Sequence, residues 1–202
     1  MQDMGGMAGM AGATSAVSLG ALVVMWAVMM MVMMLPGTAL AVAARGALFA
    51  SGYALMWIVF SITAAAVQWE LGRTGHLSAS MTLQSALLAA LVVAGAGVYE
   101  LTPFKDVCLR RCRWNDRRSG AAPATIPARL IAGVRHGAFC LGCCWALMAL
   151  LFVGGVMNLG WSVAIALFVL VEKVAPARLR ITRVAGVTLL LGGAVMGWHA
   201  VS

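Results

Sequence analysis

Residues 136–148 read HGAFCLGCCWALM, a histidine and three thiols inside an otherwise apolar run. A helical advance of about 100° per residue sets His136, Cys140, Cys144 and Met148 on one i, i+4 ladder, with Cys143 beside it. Cys140, Cys143 and Cys144 then offer three sulfurs on one face, His136 one turn to one side and Met148 one turn to the other. Soft thiolate and thioether donors select Cu(I) first, with zinc or an iron–sulfur centre behind it. Zinc usually takes four tetrahedral ligands, which one helix rarely supplies. The expected metal site is therefore Cys140, Cys143 and Cys144, flanked by His136 and Met148. Two other readings stay open. Cysteine packs as a small buried hydrophobe, and a thiol–disulfide couple is conceivable, although neighbours such as Cys143 and Cys144 have poor disulfide geometry on a helix.

Sulfur recurs elsewhere. CLRRC places Cys108 and Cys112 at i, i+4 among Arg110, Arg111 and Arg113. Such neighbours favour thiolate, so this pair is expected as a metal-exchange pair in a polar loop, or as reduced bystanders. Met4, Met7 and Met10 follow Met1 at every third position in a glycine-rich tail, which suits weak capture of Cu(I). WAVMMMVMMLP carries Met25, Met29 and Met33 on one ladder and Met30 and Met34 on another. Methionine is adaptable core filler; Met29 and Met33 are the pair expected to face the cysteine stripe. Gly133 and Gly137 form a small-xxx-small pair that would let a neighbouring helix approach closely.

The elements that position these residues follow from composition. The chain has 202 residues, 63% hydrophobic and 10% charged, far more apolar than a soluble domain. Uncharged runs near the ~20 residues that span a bilayer make it an all-α, polytopic membrane protein. About six spans are expected, at roughly 16–36, 46–69, 80–101, 132–153, 157–175 and 181–199. Of 14 Lys and Arg residues, all but Arg73 fall on one side of that arrangement. The positive-inside rule makes that side cytoplasmic and leaves both termini outside. The net charge of +8 then reflects topology and anionic lipid, with no nucleic-acid partner expected.

The organisation expected is a flexible outer tail over 1–15, three helices over 16–101, a basic cytoplasmic loop over 102–131 and three helices over 132–202. A short helix around 104–113 is expected in that loop. MQDMGGMAGMAG lacks the basic n-region of a cleavable signal, so the tail is expected to stay attached. Glu70 and His76 belong to the outer side; Glu100, Glu172 and Lys173 lie at cytoplasmic span ends, where they would snorkel or pair. No phosphate loop, Ser-His-Asp set or carboxylate pair is present in the sequence, and an enzyme is not expected.

These motifs taken together resemble a bacterial family described as predicted metal-binding integral membrane proteins, some of whose members carry copper-chaperone or copper-chelator labels. The likeness rests on Trp26-x-x-Met29, Met33-Met34-x-Pro36 and Tyr99-x-Leu101-Thr102-Pro103-x-Lys105, the last leading into Cys108-x3-Cys112. It continues through Gly133-x-x-His136-Gly137-x-x-Cys140-x-Gly142-Cys143-Cys144-Trp145, Met148, Gly155-x-Met157-Asn158 and Glu172-Lys173. Val32 and Glu100 depart from the pattern, where alanine and glutamine are expected. The resemblance implies metal binding, copper foremost, in a multi-pass protein of the bacterial inner membrane. The function expected is copper uptake, storage or delivery to a membrane metalloenzyme. A non-catalytic subunit or assembly factor of a membrane complex is the alternative, and a membrane thiol–disulfide oxidoreductase the second.

Overall fold

The computed structural model describes residues 18–78, 81–113, 125–175 and 181–201. The tail with Met4, Met7 and Met10 lies outside these residues. Among the described residues every regular element is a helix, and the β-type pairing is one isolated bridge between Leu77 and Leu83.

Helix α1 spans Leu19–Arg45, opened by Ser18, whose hydroxyl accepts from the Ala21 amide. It does not stop at Pro36, where the first span was expected to end, but continues nine residues further to Arg45. A proline removes one backbone donor and disturbs the turn before it. Apolar surroundings favour keeping the rest of the helix bonded, and the Thr38 hydroxyl donates to the Met34 carbonyl at 3.1 Å. Gly46 alone separates α1 from α2 (Ala47–Arg73). Its φ of +80° is the left-handed conformation that favours glycine.

Helix α3 (Ala86–Glu100) is capped by Ser85. Thr102 then caps α4 (Pro103–Cys112), with proline in the first turn where its missing N–H costs nothing. The two helices meet at 69°. Helix α5 (Ile126–Ala149) is followed by the one-turn α6 (Leu151–Gly154), α7 (Leu159–Val174) and α8 (Ile181–Val201).

Four helical stretches are long and apolar enough to cross a membrane: Leu19–Arg45, Ala47–Arg73, Ile126–Gly154 and Ile181–Ala200. A fifth is possible if the bent pair α3 and α4 counts as one. The expected third and fifth spans correspond to helices of 15 and 16 residues. At about 1.5 Å per residue those are some 23–24 Å long, short of a typical hydrocarbon core of about 30 Å.

The Ile126–Gly154 stretch is central, with 50% of its apolar window buried against 17–33% for the other three. Glycines set its closest approach. A Cβ on Gly133 would run into the Phe49 carbonyl, and one on Gly52 into the Leu130 carbonyl, so α2 and α5 cross backbone to backbone. The Gly133/Gly137 pair thus does receive a neighbouring helix, and that neighbour is α2.

Candidate metal centre

Cys140, Cys143 and Cys144 are fully buried on one face of α5. The thiols of Cys143 and Cys144 both donate to the Cys140 carbonyl, each at 3.0 Å. A fourth sulfur arrives from outside the helix. Cys112, at the end of α4, is buried and interacts with the side chains of Cys140 and Cys143.

The turn at Thr102 lays α4 across α5 over Gly142, where a Cβ would stand 3.0 Å from the Cys108 sulfur. The Tyr99 hydroxyl donates to the Gly142 carbonyl, and the Tyr99 ring meets Trp145 edge-on at 5.0 Å. That contact ties α3 to α5 just ahead of the bend.

The short helix of the expected polar loop turns Cys108 and Cys112 inward. Both are buried, with Cys112 in the wall of the sulfur cluster and Cys108 over Gly142. Two of the neighbouring arginines also meet groups outside the pair. Arg111 lies over the Phe139 ring at 4.9 Å, and Arg113 donates to the Glu172 backbone carbonyl at 3.0 Å.

The residues at span ends do not snorkel. Lys105, Glu100 and Glu172 are 0%, 1% and 2% exposed. The Lys105 ammonium pairs with Glu100 and donates to both Glu172 oxygens at 2.9 and 3.0 Å. This triad clamps α4 to the ends of α3 and α7. The next residue, Lys173, points the other way. Its ammonium lies 3.0 Å from the Cys140 sulfur and 3.5 Å from that of Met34. The Tyr53 hydroxyl approaches the same Cys140 sulfur at 3.4 Å.

The remaining expected residues distribute unevenly. His136 is half-buried, its ring near Phe49 and Tyr53 at 5.5 and 6.0 Å. Its Nε2 has no hydrogen-bond partner among the described residues. Met148 is buried in the core. Met29 and Met33 are only half-buried; the α1 methionines turned inward are Met30 and Met34. Thus α1 does reach the site, through Met34 against the Lys173 ammonium of α7, on the ladder next to the one expected.

Lys173, Met34 and Tyr53 were missed as site residues. A charge at the end of an apolar helix marks function by default, and Glu172-Lys173 carried that signal. Among the described residues no three His, Cys, Asp or Glu side chains already stand as a metal shell. The reason is local. Two thiols are folded back onto their own helix, and the ammonium of Lys173 covers the third. To serve as a shell, the thiols must rotate off the Cys140 carbonyl and lose protons, as metal binding to thiols requires.

The family model for PpoB2, described as a copper chaperone, matches residues 23–196. That is most of the chain. It belongs to the PpoB2 family. No curated protein and no solved structure matches it. The matched region of this PpoB2 member contains the sulfur cluster, Lys173 and the Lys105 triad, and excludes Met4, Met7 and Met10.

Proposed function

We propose that this PpoB2 member is a copper chaperone of the bacterial inner membrane, which holds Cu(I) as cargo and delivers it to a membrane metalloenzyme. The observation that carries the reading is the convergence of four buried thiols from two helices, Cys112 from α4 and Cys140, Cys143 and Cys144 from α5. Cu(I) is satisfied by two or three of these soft sulfurs; four cysteines also suit zinc, and the copper-chaperone description of the matching family favours copper. Burial keeps water from the bound ion. His136 and Met148, one turn to either side on α5, are flanking donors, and Cys108 lies over Gly142 beside the cluster.

The chain's outward faces are apolar, with Val28, Leu40, Leu91, Val163 and Leu191 all more than half exposed, and suit lipid contact. Six passes are proposed. The short α3 and α7 would lie within the bundle, both termini outside, in accord with the one-sided distribution of basic residues. Met4, Met7 and Met10 would then stand on the outer side as capture residues, with Met29 and Met33 as secondary thioethers on α1.

Metal content tests the site. The full chain is expressed with copper, then separately with zinc or iron, and purified anaerobically in detergent beside the triple variant Cys140→Ser, Cys143→Ser, Cys144→Ser. Near-stoichiometric copper in the wild type, lost in the variant, is expected. Equal metal in the two would sink the site and leave the thiols as packing in a subunit of a larger complex.

A further inference from the structure

Lys173 is 7% exposed, yet its ammonium meets no carboxylate among the described residues. The three ion pairs among the described residues involve Glu70 with Arg73, and Glu100 and Glu172 with Lys105. Its partners are two sulfurs, those of Cys140 and Met34. The fold makes room for it there. A Cβ at Gly37 would stand 3.0 Å from Lys173 Cδ and 3.3 Å from Nζ, so the bare backbone of α1 forms one wall of the lysine's channel. The side chain is thus built into the cluster, its charge held against the sulfur at the cluster's centre.

Resting on the copper reading above, we infer that Lys173 is the specificity-determining residue of the cluster, admitting a monovalent soft cation and turning away divalent ones. Any ion held by Cys140 sits within a few ångströms of this ammonium. Whatever number of thiolates binds it, exchanging a monovalent for a divalent ion adds one positive charge at that distance. Neutral thioether and hydroxyl neighbours, Met34 and Tyr53, offer no charge to offset it. Even at the high effective dielectric appropriate to protein interiors, that extra repulsion is worth at least about tenfold in relative affinity. Sulfur donors alone would not discriminate so well, since thiolates also bind zinc tightly. The lysine supplies the missing discrimination by charge.

The test is a competition on the full chain in detergent, with Cu(I) or the redox-stable Ag(I) as the monovalent probe and Zn(II) as the divalent one. The wild type is expected to bind Ag(I) in a manner dependent on Cys140, Cys143 and Cys144, and to keep it against excess Zn(II). Lys173→Met should let Zn(II) compete at least about tenfold better, whereas Lys173→Arg should keep the wild-type preference. An unchanged preference in Lys173→Met would overturn the inference while leaving the copper site standing. So would a preference relaxed equally in Lys173→Arg. If Lys173→Met does not accumulate, Lys173→Gln is read the same way. Zn(II) bound by the wild type as tightly as Ag(I) would also overturn the inference without any variant. A wild type that takes up neither Cu(I) nor Ag(I) would remove the copper reading and this inference together.

Discussion

Lys105 and Lys173 are both buried, and Glu172 sits beside one in space and beside the other in sequence. They do opposite work. Lys105 is enclosed by two carboxylates, so its charge is met locally and the triad acts as a clamp between α3, α4 and α7. Lys173 has two sulfurs and no acid among the described residues, so its charge stays available to whatever those sulfurs bind. A buried charge that is already paired reports on architecture. One that is left facing soft ligands reports on cargo.

Substitution should separate the two lysines by sign. Lys105→Met strands Glu100 and Glu172 without their cation, and removing one partner of a buried ionic cluster costs about 3–5 kcal/mol. A large fall in melting temperature or loss of the folded protein is expected, partly rescued when Glu172→Gln is added. Lys173→Met strands no carboxylate. A buried ammonium with no counter-ion carries an unrecovered desolvation cost, so the metal-free chain should be unchanged or up to about 2 kcal/mol more stable in thermal unfolding when an apolar side chain of similar length replaces it. A destabilisation as large as that of Lys105→Met would show that the two lysines are equivalent after all.

The cysteines of α4 sharpen the same contrast on a smaller scale. Cys112→Ser removes a sulfur from the cluster and should weaken copper binding at least about tenfold. Cys108→Ser, over Gly142, should leave copper binding as it is. Equal losses from both in a Cu(I) chelator competition would return them to the paired role expected of CLRRC. Smallest of all, Met34→Leu keeps the volume and should change stability by less than about 1.5 kcal/mol. It should also leave the preference for Ag(I) over Zn(II) intact, because the discrimination is assigned to charge and not to the thioether.

Much of this could be read in the chain. The i, i+4 spacing from His136 to Met148 does place Cys140, Cys143 and Cys144 on one buried face, because α-helical period is a local property of the backbone. Gly133 and Gly137 do mark a close crossing, because a missing Cβ is equally local. The short helix after Thr102 is legible from its capping residue and proline. The inward face of α1 was not. In a helix that is apolar all round, hydrophobic pattern no longer distinguishes core from lipid, so Met29/Met33 and Met30/Met34 look alike until a partner is in place.

Nor could spacing reveal that Cys112 comes within reach of Cys140, 28 positions away, since that depends on the 69° turn between α3 and α4 and on the bare surface at Gly142. The sequence by itself determined the helical class, the apolar character of the long stretches and the sulfur-bearing face of α5, all of which follow from side-chain chemistry and backbone period over a few turns. Only the tertiary structure decided that α4 supplies a fourth thiol, that Glu100, Lys105 and Glu172 close into a clamp, and that Lys173 faces sulfur. Those outcomes depend on where distant helices cross, and a buried charge takes whichever partner the crossing brings to it.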